Sequence, residues 1–270
     1  MNDSCGFCSS FLVCRSIIAW SACHMRRFFF EPSTRRGDKV FLSEEESSHL
    51  VRVLRLKKDQ EIELIDGIGG LYRAVIMDLG KTVTARIVEE RVMREVGKKS
   101  LWVGQGLLKG KKMDTTIQHC TELGVARLTP FVSSRCQGRL DEMQGRKKSD
   151  RWERIVVSSC KQCRRTQQMH VDEVVDFTGM LALANREPDI LRLVFWEEET
   201  DVHLQEIMAA DQSNAKVCIL LGPEGGFSRA EMAAARDLGW QTVSLGNRIL
   251  RAETATLTAV SLVQFLIGNL

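Results

Sequence analysis

From Arg26 to about Arg91, apolar residues come in short alternating runs. "RRFFF" and "KVFL" are brief β-type segments. "EIELIDG", "LYRAVIMDLG" and "TVTARIVEE" alternate apolar with polar residues and are punctuated by glycine, as half-buried strands are. One helix interrupts them. "SEEESSHLVRVLRL" opens on Ser43 with Glu46 three residues on, a capping box. Leu50, Val53, Leu54 and Leu56 then form an apolar stripe at roughly helical spacing, flanked by Arg52, Arg55, Lys57 and Lys58. Several strands around one helix predict a small barrel-like domain over residues 25–91, with a connection from Arg91 to Lys99.

From Leu101 the rhythm changes. "LWVGQGL", "RLTPFV", "LRLVFWE", "KVCILLG" and "QTVSLG" read as strands. Amphipathic stretches such as "KKMDTTIQHCTELG", "DRWERIVVSSCKQC", "EMAAARDLGW" and the final "AETATLTAVSLVQFLIGNL" read as helices. Alternating strand and helix predicts an α/β domain over 98–270, its parallel sheet covered by helices. Residues 1–24 stand apart. They hold four of the nine cysteines and show no period. Phe11–Ala22 is interrupted by Arg15 and two serines, too short to span a membrane. Asp3 and the lack of an early basic cluster argue against a secretory signal. The stretch is expected to be a disordered extension or a misassigned start, with Met25 the working start.

Composition refines this picture only locally. The net charge of +3 demands no nucleic-acid partner by itself. Its distribution is uneven. Arg135 to Arg165 holds ten Lys/Arg against four Asp/Glu, and Lys98 to Lys112 holds five Lys and no acid. Such segments fit a phosphate-contacting patch, or equally a solvated surface. Nine cysteines without a secreted scaffold's framing fit a reducing, cytoplasmic compartment. Cys5-x-x-Cys8 and Cys160-x-x-Cys163 have metal-like spacing, but no histidine or further cysteine pair completes either set. No metal is implied.

Chemistry is concentrated in two loops. "KVCILL" suits a central buried strand and leads directly into Gly222-Pro223-Glu224-Gly225-Gly226; Ser228 and Glu231 then form a capping box. The strand "QTVSL" leads into Gly246-Asn247-Arg248-Ile249-Leu250-Arg251 before the last helix. Ligands of open α/β sheets bind at the carboxyl ends of strands, so the two loops together can wall a nucleoside-sized pocket. The first loop is neither G-x-G-x-x-G nor a P-loop, and its one charge, Glu224, would repel a polyphosphate. A neutral or cationic nucleoside such as S-adenosylmethionine fits better.

"LLGPEGGFSRAE" followed by "SLGNRILRAETATLTA" resembles the RsmE family, S-adenosylmethionine-dependent methyltransferases of one uridine N3 in 16S ribosomal RNA. "MRRFFF", "HLVRVLRLKKDQEIELIDG" and "KGKKMDTTIQHCTELGV" extend the resemblance over Met25 to Leu270. It implies a PUA-like N-terminal β-barrel, a SPOUT-type parallel sheet ending in a C-terminal trefoil knot, and a homodimer acting on the small ribosomal subunit. It also implies residue roles. Leu221, Gly222, Gly225 and Gly226 would form one wall of the cofactor pocket, and Leu245, Gly246, Ile249 and Leu250 another. A third contact would come from Phe195 to Glu197.

Methyl transfer to uracil N3 requires loss of a proton, and Arg251 is the candidate active-site cation, either binding the target phosphate or favouring the ionised uracil. Glu224 and Glu253 are candidates for proton handling or hydrogen bonding. A carboxylate at Glu253 would equally suit a helix N-terminus. Candidate RNA contacts are Arg26, Arg27, Arg52, Arg55, Lys109, Lys111, Lys112, Arg135, Arg139, Arg164 and Arg165. One departure stands out. The family commonly shows acid-Gln-Ser/Cys-Gly-Arg where this chain reads Lys161-Gln162-Cys163-Arg164-Arg165.

Overall fold

The structure, a computed structural model, describes residues 25–92, 99–136, 142–211 and 214–270. The extension 1–24, most of the connection after Val92, and Arg139 lie outside the described residues.

The first unit follows the short alternating runs. β1 (Arg27–Phe29) is followed by a 3-10 turn, Pro32–Thr34, and by the hairpin of β2 (Arg35–Arg36) and β3 (Lys39–Phe41). After α1 (Glu44–Ser48) come β4 (Glu61–Ile65), β5 (Gly70–Leu79) and β6 (Val83–Val92). They form one six-stranded sheet in the order β1-β4-β5-β6-β3-β2. Only β1 and β4 are parallel. Phe28, Phe30, Val40, Leu50, Ile62, Leu64, Ala74 and Ile76 fill its core.

The predicted helix of this unit is shorter than its pattern. Ser43 accepts the backbone N–H of Glu46, but the reciprocal half of the capping box is not made: Glu46 instead pairs with Lys161. After Ser48 the chain turns as a π-helix, His49–Val53, with Leu54 donating to the carbonyl five residues back. That wider turn breaks the 3.6-residue stripe. Leu50 stays fully buried, whereas Val53 is rotated outward and is 68% exposed.

The second unit is α/β. β7 (Ser100–Gly106), α2 (Lys111–Glu122), β8 (Arg127–Val132) and α3 (Glu142–Cys163) lead to two-residue strands, β9 (His170–Val171) and β10 (Val175–Asp176). α4 (Phe177–Asn185), β11 (Ile190–Phe195), α5 (Leu204–Ala210), β12 (Lys216–Leu221), α6 (Arg229–Asp237), β13 (Gln241–Val243) and α7 (Ala252–Leu266) complete it. The strands form one sheet in the order β10-β8-β7-β12-β11-β13, with β9 beside β8, and every pairing is parallel.

Burial on both faces accounts for the continuous apolar runs. Val217, Ile219 and Leu221 point to the face covered by α2, α3 and α7. Cys218 and Leu220 point to the face covered by α4 and α6. The two-residue strands, α4 and α5 carried no strong period in the chain and were not expected. Cys160 and Cys163 lie on the last turn of α3, and neither is in a disulfide among the described residues.

A cleft of about 1560 Å³ separates the first sheet from α3, with Arg26, His49, Glu63, Arg154, Lys161 and Gln168 among its lining. None of the residues of the two glycine loops borders it. No helix among the described residues is long and apolar enough to cross a membrane.

Candidate active site

The carboxyl ends of β7, β11, β12 and β13 point the same way, because all are parallel neighbours. β11 lies between β12 and β13, so the two glycine loops flank the exit of β11. The first loop turns on a hydrogen bond from Gly226 N–H to Pro223 O of 2.9 Å. Gly226 has φ of +66°, a conformation that favours glycine, and its Cα faces the Glu197 carboxylate at the exit of β11. A Cβ at Gly225 would lie 2.9 Å from Arg135 O, so the backbone of the first loop is in close contact with the loop after β8 there.

The loop is pinned below by packing and above by a cap. Phe227 is buried and stacks on Phe131 at 6.2 Å between ring centroids, with 9° between the planes. Ser228 and Glu231 form the full capping box of α6. Glu231 also accepts the backbone N–H of Ser134 at 2.8 Å. Burial alone would raise the Glu231 pKa, but amide hydrogen bonds from Ser134 and Ser228 hold it below the usual carboxylate value. Arg135 Nη1 donates to Gly225 O at 3.2 Å. The exits of β8 and β12 are thereby tied together.

A third wall comes from β7. Gln105 is fully buried. Its Nε2 donates to the carbonyls of Gly106 (3.0 Å) and Gly222 (3.3 Å), and its Oε1 accepts from Thr256 Oγ1 at 2.7 Å. One side chain therefore joins the sheet, the first loop and α7. Gly106 comes just as close: a Cβ there would lie 2.6 Å from Pro223 N. Neither residue was among the predicted site residues. A lone glutamine between glycines in the apolar run "LWVGQGL" was the available signal.

The second loop is more open. Gly246 has φ of +95°, and its N–H donates to Ser244 Oγ at 3.1 Å. Leu245 and Leu250 are half-buried, whereas Ile249 is 91% exposed. Arg251 is the N-cap of α7 and exposed; its guanidinium has no hydrogen-bond or ion-pair partner among the described residues. Glu253 stands in the first turn of α7. Lys112 Nζ lies 3.4 Å from Glu224 Oε1 and 3.3 Å from Glu253 Oε2. Glu224 also accepts the Lys109 backbone N–H at 3.1 Å. Partial burial would raise the Glu224 pKa; that amide, its own backbone and Lys112 outweigh it and lower the value.

The predicted RNA contacts separate into groups. Lys109, Lys111 and Arg135 are exposed beside the first loop, and Arg52 and Arg55 are exposed on and after the π turn. Arg26 and Arg164 are exposed and line the cleft against α3. Two others are corrected. Arg165 is 8% exposed, and its Nη1 donates to the carbonyls of Thr121 (3.2 Å) and Val125 (2.7 Å), closing the end of α2. The Arg27 side chain is 7% exposed and paired with Glu63 at 2.8 Å. Both are internal cations rather than surface contacts. Arg164, where the resemblance leads one to expect glycine, follows the last residue of α3 with φ of +67°, a left-handed conformation that suits glycine better.

Comparison with known proteins agrees with this geometry. The RNA methyltransferase domain family matches residues 96–264, and the RNA methyltransferase PUA domain family matches residues 42–88. Ribosomal RNA small subunit methyltransferase E of Aquifex aeolicus is 32% identical over 86% of this chain and 97% of its own length. The chain belongs to this methyltransferase family. The Bacillus subtilis member is 29% identical over 89% of this chain and 96% of its own. The Neisseria gonorrhoeae member, solved bound to S-adenosyl methionine, superposes with a TM-score of 0.81 at 31% identity, covering 90% of this chain and 98% of that one.

Proposed function

We propose that the chain methylates N3 of a uridine in 16S ribosomal RNA, using S-adenosylmethionine. The observation that carries this reading is the cluster of loops that meet at the exits of β7, β8, β11 and β12. Their backbones come so close that side chains at Gly106 and Gly225 would collide with Pro223 and Arg135. Glu197 and Glu224 supply negative charge at its rim, a fit for a sulfonium and an α-ammonium rather than for phosphates. Leu221, Gly222, Gly225 and Gly226 would hold the cofactor on one side, and Leu245, Gly246, Ile249 and Leu250 on the other.

The bound cofactor would supply an electrophilic methyl group on sulfur. The chain's part is to hold the base and manage its proton. Arg251, whose guanidinium has no partner among the described residues, would stabilise the negative charge that develops on uracil when N3 loses its proton. Glu253, in the first turn of α7, is the candidate for proton handling or hydrogen bonding.

The same reading assigns 25–91 as a PUA-like barrel that grips RNA and 98–270 as a SPOUT domain. The insertion of β13 on the far side of β11 from β12 supports a trefoil knot at the end of the sheet. Such a substrate would be met in the cytoplasm, which is part of the proposal.

A homodimer is part of the proposal. α7 exposes Leu257, Leu262, Phe265 and Leu266, and Ile249 of the second loop is bare. A second copy over this face would sit beside Arg251 and complete the site. Phe265→Asp should shift the sedimentation coefficient toward that of a monomer, and an unchanged value would remove the dimer from the proposal.

The activity is tested by incubating purified protein with S-adenosylmethionine and small subunits lacking the mark. 3-methyluridine should appear in digested 16S RNA. A different methylated nucleoside would keep the enzyme and discard the target; none at all, with cofactor binding absent, would defeat the reading.

A further inference from the structure

We infer that Lys112 is a positioning residue that locks the first loop of the cofactor pocket to α7, the helix into which the second loop runs, rather than a contact for RNA phosphate. Glu224 belongs to the loop after β12, and Glu253 to the helix that follows the loop after β13. The two segments are separated by α6 and β13 in the chain. Their carboxylates converge on one ammonium, with Lys112 Nζ 3.4 Å from one and 3.3 Å from the other.

Two like charges brought this close repel one another unless a cation stands between them. Lys112 comes from the first turn of α2, which packs against α7, so it reaches both from a fixed base. The Lys109 backbone N–H, from the turn just before α2, holds the same oxygen of Glu224 at 3.1 Å. Beneath this bridge runs a second one, the buried Gln105 between Gly222 O and Thr256. The first loop is therefore joined to α7 at two points, one neutral and buried and one charged and near the surface. An ammonium already shared by two carboxylates has little positive charge to offer a phosphate, unlike its exposed neighbours Lys109 and Lys111.

The inference rests on the cofactor reading above. Its test uses the full chain and S-adenosylmethionine as probe. Lys112→Met should fold with the wild-type circular dichroism spectrum but bind the cofactor roughly three- to tenfold more weakly by calorimetry, the loss of two partly exposed ion pairs. Lys112→Arg, which can bridge both carboxylates, should restore affinity to within about twofold. KM for 16S RNA and the salt dependence of RNA binding should be unchanged in both. Wild-type cofactor affinity in Lys112→Met overturns the inference, and a raised KM for RNA with a shallower salt slope would make Lys112 a phosphate contact. If the wild-type chain binds no S-adenosylmethionine, the cofactor reading itself fails, and this inference with it.

Discussion

Gly106→Ala adds one methyl group where the structure has no room for it. The new Cβ would stand 2.6 Å from Pro223 N, 2.7 Å from Pro223 Cδ and 2.9 Å from Gly222 C. Carbon contacts settle at about 3.5–4.0 Å, so something must retreat by about 1 Å. The obstacle is backbone, not the tip of a flexible side chain, and Gly106 is held in register against Phe131 of β8. The first loop, with exposed Glu224 at its crown, is the softer partner and should yield.

Overpacking of this kind costs about 1–3 kcal/mol. Displacing Gly222 also weakens its 3.3 Å hydrogen bond from Gln105. If the loop forms a cofactor wall, at least about 1 kcal/mol should appear in binding, roughly a fivefold or greater rise in Kd for S-adenosylmethionine. The assay is calorimetry beside a thermal melt. Gly80→Ala is the control, since its added Cβ meets nothing nearer than 3.4 Å. A Gly106→Ala protein that binds the cofactor and melts as the wild type does would refute the placement of this loop in the pocket.

Four further outcomes are expected. Arg164→Gly should raise stability by about 0.5–1 kcal/mol in urea denaturation, because φ of +67° strains any residue with a Cβ; no gain would mean the strain is relieved elsewhere. Arg165→Met should cost about 1–3 kcal/mol by orphaning the buried Val125 carbonyl and removing one of the hydrogen bonds to Thr121 O, which keeps the Gly124 N–H, while the salt dependence of RNA binding stays as in wild type. Glu231 has its folded pKa below the ordinary 4.5, so its contribution is present above that value and lost as pH falls through the lower one. Glu231→Gln should thus be less stable near pH 7 but lose less stability than wild type between about pH 5 and 3. Arg251→Ala should lower kcat by about a hundredfold or more with an unchanged melt, and wild-type turnover would take Arg251 out of the chemistry.

What could be read from the chain depended on whether the signal was local. The buried strands β7, β11 and β12 announced themselves because burial on both faces makes apolar runs continuous. The Ser228–Glu231 box was legible because both partners lie within one turn. Glu46 showed the limit of that logic: its carboxylate was taken by Lys161, 115 residues away, and the spacing alone could not know it. The π turn was hidden for a similar reason, since a stripe at Leu50, Val53 and Leu54 assumes a constant 3.6-residue turn.

Adjacent arginines also deceived. Arg164 and Arg165 read as one basic patch, yet the left-handed backbone at the first sends it outward, while the second turns inward to two carbonyls. Lys112 looked like another surface cation until its two carboxylate partners were seen to come from segments far along the chain. Gln105 was marked only by polarity inside an apolar run, and its partners lie 117 and 151 residues distant.

The most direct test of the central proposal is made in cells. The coding sequence is deleted from its host, and the nucleosides of purified 16S ribosomal RNA are separated and weighed. Loss of 3-methyluridine, restored by the wild-type chain but not by Arg251→Ala, is the expected result. 3-methyluridine at its normal level in the deletion strain would contradict the assignment.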